Sequence, residues 1–141
     1  MYGDTVVMRK RAGQLRERGA DIRAAAERLV ARSEAVPWRG RAADAMRERV
    51  KERAGHLRAA AHAHDTAADS LDRHVAEVDR LKESIAEAER RLGGQIVEAR
   101  HHVEATSYDE SAATDQERAL ATATLPLSGH ADWLTLELPG S

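Results

Sequence analysis

Residues 57–92 read LRAAAHAHDTAADSLDRHVAEVDRLKESIAEAERRL, and within them Leu57, His64, Leu71, Val78, Ile85 and Leu92 fall seven residues apart. A companion column three residues on holds Ala60, Ala67, His74, Leu81 and Ala88. A third holds Ala61, Ala68 and Val75 before it turns to Lys82 and Glu89. A repeat of this length keeps one stripe of a helix facing its neighbour, so six such heptads predict coiled-coil-like packing. The stripe is broad near Leu57 and narrows to a two-column seam farther out.

Upstream, Met8, Leu15, Ile22, Leu29 and Val36 keep the same spacing, with Gly19, Ala25 and Ala26 in the neighbouring columns. This predicts a first helix from about Asp4 to Glu34. The carboxylate of Asp4 suits an N-cap, where it accepts from backbone N–H groups that the helix leaves unpaired. Pro37 stops that helix, because its ring clashes with the preceding turn and it has no N–H to donate. Val36, before it, is pushed to extended geometry, and Gly40 supplies freedom at the tightest point. The second helical pattern begins at Arg41.

Downstream, Gly93-Gly94 is expected to end or kink the second helix. Gln95 to Glu104 resumes it with Ile96, Ala99 and Val103 on one side. From Thr106 to Thr124 the chain is small and polar, with Leu120 its one large aliphatic residue, and reads as a linker or weak helix. Leu134, Leu136 and Leu138 then alternate with Thr135 and Glu137. So short an extended segment is not stable alone and must be disordered or docked. The fold class is all-α: residues 1–104 form an antiparallel helical hairpin with its turn at 36–40 and an extended second helix. Residues 105–141 are expected to be a largely irregular tail, flexible or docked on a partner.

Composition agrees with long exposed helices and a thin core. Charged residues make up 33% of the 141, aromatic residues 3%, and there is no Phe. The 22 basic and 24 acidic side chains leave a formal charge of −2, which argues against a nucleic-acid binder. Without cysteine there is neither a disulfide framework nor a thiolate metal site. No apolar run reaches the roughly 18 residues of a membrane span. Met1 to Lys10 lacks the apolar core of a Sec signal peptide, so export, if it occurs, is expected to use another route.

At 1.5 Å per residue the first helix is roughly 45 Å long and the second roughly 75 Å. Folded about residues 37–40, the first runs out opposite about Ala68 to Arg73. Val75, Val78, Leu81, Ile85 and Leu92 are then expected to lack intrachain cover, with the leucines of the tail too few to shelter them all. Together with Leu71 they make the expected partner-binding surface. Two Ala-rich helices also bury little against the entropy of ordering them. A dimer, of like or unlike chains, is therefore expected to complete a four-helix bundle.

Trp38-Arg39-Gly40, between two long helices, resembles the turn of the WXG (Esx-like) superfamily of type VII secretion substrates. The run Arg41-Ala42-Ala43-Asp44-Ala45-Met46-Arg47 resembles that family's Gly-x-Ala-Ala-x-x-aromatic continuation, and also the N-terminal helical targeting modules of actinobacterial polymorphic toxins. The likeness covers roughly Ile22 to Leu92. It implies a helical hairpin that pairs with another such hairpin and is delivered from the cytoplasm to a type VII apparatus. The partners it implies include a larger secreted effector and the secretion ATPase. Trp38 and Gly40 are the motif residues. The family's export signal is a Tyr followed four residues later by an acid; Tyr108 is the one candidate, and Ala112 stands in the acidic position. Export in the company of a signal-bearing partner, or a role as a cytoplasmic adaptor or chaperone for a larger effector, accommodates that departure. A generic coiled-coil scaffold is the remaining alternative.

The other constellations favour no chemistry. None of the seven histidines pairs with another at i, i+4, and Glu98 with His102 makes at best two ligands of a metal site. His64 and His74 read as polar positions on the seam that set register. There is no phosphate loop, nucleophile elbow or His–Glu zinc motif. Neither an enzyme activity nor a cofactor is expected.

Overall fold

The computed structural model describes residues 4–109 and 111–139. The chain is all-helical among these residues: α1 spans Thr5–Ala35, α2 Arg41–Ala105 and α3 Asp115–Ala121, followed by a 3-10 turn at Ala131–Leu134. Contacts among the described residues fall into two units, residues 4–77 and residues from 78 onward.

In the first unit α1 packs on the opening half of α2. Asp4 caps α1 by accepting from the N–H groups of Val6 and Val7. The helix ends at Ala35, with Val36 extended ahead of Pro37. Thr5, Ala12, Gly19, Ala26 and Ser33 are its buried residues, and they stand seven apart. On α2 the buried residues Ala43, Ala54, Ala61 and Ala68 answer them. The tight seam is therefore the small-residue column. The column expected to form it, Leu15, Ile22 and Leu29, lies half-buried on its flank. Small side chains win the centre because they let two backbones approach closely. A Cβ on Gly19 would stand 2.9 Å from Asp65 Oδ1 and 3.2 Å from the Ala61 carbonyl oxygen.

Ion pairs record the register. Arg16 bonds Asp69 at 2.8 Å and Asp72 at 2.6 Å, and Arg23 bonds Asp65. As the position on α1 rises, its partner on α2 falls, so the two helices run in opposite directions. The Asp69 and Asp72 carboxylates raise the Arg16 guanidinium, and the Arg23 hydrogen bond lowers Asp65 below the ordinary carboxylate range. Each residue of α1 lies opposite a later residue of α2 than a symmetric turn would allow. The extended link accounts for it: at about 3.3 Å per residue it climbs alongside the first turns of α2, where a helix gains only 1.5 Å.

In the second unit, residues 78–105 of α2 carry the rest of the chain. Ile85, Ala88 and Trp133 form a buried cluster, with Leu81, Leu92, Ala131 and Leu136 packed against it. The Trp133 indole N–H donates to the Leu127 carbonyl at 3.0 Å, and the Gly129 N–H donates to the Glu89 carboxylate at 3.1 Å. Gly129 has a φ of 74°, which only glycine takes at low cost. Arg100 donates through Nε to the Ala121 carbonyl and through Nη2 to that of Ala123. A capping box between Thr114 and Glu117 starts α3, which buries none of its own residues.

Several expectations are corrected here. Val75, Val78 and Ile85 are 3%, 5% and 1% exposed, and Leu81 and Leu92 pack on the cluster below the tail. The exposure that made these five a partner-binding surface is thus absent, and Leu71 remains half-buried. Ala131, Trp133 and Leu136 of the tail pack on α2 of the same chain. Trp133 makes the difference: an indole buries about 150–250 Å², far more than a leucine count suggests. α2 also continues through Gly93-Gly94 without a break to Ala105. Trp133 lies 3.9 Å from where a Cβ of Gly93 would stand, so the tail packs over this glycine. Where Leu134 to Leu138 suggested an extended segment, the chain makes a 3-10 turn and an irregular run. His74 is exposed, off the seam, while half-buried His64 has its Nδ1 2.8 Å from the Ala60 carbonyl of its own helix.

Candidate functional site

The link between α1 and α2 places the sequence motif in a defined geometry. Gly40 has a φ of 108°, in the region where an L side chain is strained, and its carbonyl accepts from the Asp44 N–H at 3.0 Å to open α2. Trp38 is 50% exposed, so its ring does not plug the interior. Arg47, in the second turn of α2, holds the link. It donates through Nε to the Ser33 carbonyl at 3.2 Å, and through Nη2 to those of Val36 at 2.9 Å and Trp38 at 2.6 Å.

Helix ends leave their last carbonyls without intrahelical partners. A guanidinium offers several donors in a planar fork and stays charged at every physiological pH. Arg47 therefore satisfies the open end of α1 and fixes the extended residues after it in one grip. Nothing in the sequence singled out Arg47 for this role, since arginines are common along the chain. Ala43, in the same first turns, is fully buried, so the small residue of the Ala42-Ala43 pair that matters for packing is the second.

Apolar side chains flank the close seam of the first unit without being sealed by it. Leu15, Ile22, Leu29, Leu57 and Leu71 are all half-buried. Leu15 and Leu71 line a shallow groove of about 300 Å³ with Arg11, Gln14 and Arg18.

Tyr108 is 87% exposed and lies in the turn that follows α2. Asp109 beside it turns back to Ser111, whose N–H donates to its carboxylate at 3.0 Å and whose hydroxyl donates at 2.7 Å. Those two bonds lower the pKa of Asp109. Ala112, four residues after the tyrosine, is likewise exposed and not helical. Trp38 and Gly40 thus share one link in the first unit, and Tyr108 stands in the second. Of the remaining six predicted site residues, Leu71 and Val75 belong to the first unit, and Val78, Leu81, Ile85 and Leu92 to the second.

A cleft of about 890 Å³ lies within the second unit and is lined by Glu98, Ala99, His102, Glu117, Leu120 and Leu138 among others. His102 Nε2 is 3.5 Å from the Glu117 carboxylate. Among the described residues no three histidine or carboxylate side chains converge where they could hold a metal ion. No buried side-chain polar atom among them lacks a hydrogen-bond partner. No helix among them is long and apolar enough to cross a membrane. Compared with known protein families, characterised proteins and solved structures, the chain finds no match.

Proposed function

We propose that this chain is a protein-binding helical module of the WXG (Esx-like) kind, acting in a bacterial type VII secretion complex and catalysing no reaction. In this reading it is a helical hairpin, and its α1/α2 pair packs against another WXG-like hairpin, a copy or a different chain, as a four-helix bundle. The carrying observation is Trp38. An indole half in solvent, on a gripped Trp-x-Gly link between two long helices, is a large apolar surface left for something else to cover. The half-open flank of Leu15, Ile22, Leu29, Leu57 and Leu71 supplies the length of the interface.

Co-expression with the helical proteins encoded beside it tests the reading. A complex that survives purification and is weakened at least about tenfold by Trp38→Ala supports it, since an aromatic at the centre of an interface often carries that much affinity or more. A chain that binds none of them, or binds with no dependence on Trp38, refutes it. Appearance in culture filtrate that depends on the secretion ATPase supports the substrate role.

Tyr108 favours a second reading. With Ala112 in place of an acid and Asp109 engaged by Ser111, the chain lacks the acidic half of the family's export signal. An adaptor that stays in the cytoplasm and pairs with the helical targeting region of a larger effector accounts for that. Co-purification with such an effector, without the chain itself reaching the filtrate, distinguishes the adaptor from the substrate.

A further inference from the structure

The surface under the tail has the pattern of a helix-docking seam, yet what covers it is not a helix. Val78, Ile85 and Leu92 form one column and Leu81 and Ala88 the other. Leu81, Ile85, Ala88 and Leu92 are covered by a 3-10 turn with Trp133 as its buried residue, pinned to α2 through the Gly129–Glu89 hydrogen bond. The chain that leads to it is held at separate points, by Arg100 on the Ala121 and Ala123 carbonyls and by buried Ala113. α3 buries nothing of its own, and Ser107, Tyr108, Ser111 and Ala112 are exposed. Ordering each of these exposed residues has an entropic cost with little burial in return, so the cover rests on a few anchors, Trp133 and Leu138 foremost. A regular helix with a matching face would bury the same seam without that cost.

We infer that the tail is a displaceable cover over this seam, and that the occupant admitted when it leaves is the same segment of α2 from a second copy, running antiparallel. The charges beside the seam carry the choice. Lys82 and Glu89 stand seven apart in a single flanking column. When two copies lie antiparallel, the same flanking columns face each other, so Lys82 of each copy meets Glu89 of the other, twice by symmetry. The same register sets Ile85 against Ala88 and Leu81 against Leu92, a large residue against a small one at the centre. Glu89 works in both states. It accepts the Gly129 N–H when the seam is covered and faces a lysine when it is open. This inference does not rest on the secretion reading, and it uses a surface apart from Trp38.

Sedimentation velocity on the full chain tests it, with hydrogen exchange over residues 127–139 reporting release of the tail. Trp133→Ala and, independently, Leu138→Asp are expected to release the tail and strengthen self-association by at least about tenfold. On the Trp133→Ala background, Lys82→Glu is expected to remove that gain, and Lys82→Glu with Glu89→Lys to restore it. The inference is overturned if the tail is released and association does not rise, or if it rises without responding to the charge exchange. Loss of helicity in both tail variants would overturn it as well, since the cover would then be a fixed part of the fold.

Discussion

The two halves of α2 meet the rest of the chain in opposite ways. Along the first half the contact is regular: Ala54, Ala61 and Ala68 answer Ala12, Gly19 and Ala26, and arginine–aspartate pairs mark the register on the outside. Along the second half the helix offers larger residues, Ile85 and Ile96 among them, and is met by an irregular tail whose largest buried side chain is one indole. Stability per contact therefore differs between the halves. The first spreads small contributions over many close backbone approaches. The second concentrates its contribution in Trp133.

Trp133→Ala is the sharpest way to break that contrast. Truncating a buried tryptophan costs about 3–5 kcal/mol, and here the loss is expected to appear as release of the tail while the α1/α2 pair stays helical. Fluorescence reads it directly. The wild type holds one buried and one half-exposed tryptophan, and the variant keeps only Trp38, so emission shifts to the red. An unshifted spectrum would show that Trp133 is already in water.

Glycine substitutions probe the other half. Gly55 has nothing within 4 Å of an added Cβ, so Gly55→Ala is expected to gain up to about 1 kcal/mol of helix propensity. Gly19→Ala has the same propensity in its favour but drives a methyl against the Ala61 carbonyl and the Asp65 carboxylate, which Arg23 holds in place. It is expected to lower the melting temperature while Gly55→Ala raises it. Equal gains would show that the helices stand farther apart than the seam implies.

The smallest expected effect is electrostatic. Because the folded pKa of Asp65 is depressed by Arg23, its contribution is present above the ordinary carboxylate range and is lost as pH falls through the folded value. Asp65→Asn is therefore expected to be slightly less stable than wild type near neutrality and equal to it in strong acid. Thermal melts across that range check the sign, and high salt should shrink the difference.

Much of the helical framework was legible in residue order. Asp4, Pro37 and Arg41 mark helix ends by chemistry that acts within a few residues, and the structure places them there. Which column faces inward was harder to read. Alanine and glycine carry little apolar signal, so the large column beside them drew the assignment, although only the small one lets the helices close. The tail was read as alternation, and a period-two pattern over so few residues is easily overruled by one anchored indole. Of the site, the Trp-x-Gly link was visible in the sequence, whereas Arg47 was not, because its role depends on a link that folds back along α2.

That grip on the link has a thermodynamic side. A loop that presents an aromatic ring usually has to be immobilised when it is engaged, and the lost freedom subtracts from affinity. Here the carbonyls of Ser33, Val36 and Trp38 are already held by a single guanidinium. In the proposed complex the partner would meet a Trp38 whose backbone is preorganised, and removing Arg47 would weaken that encounter from a distance without taking away any atom at the point of touch.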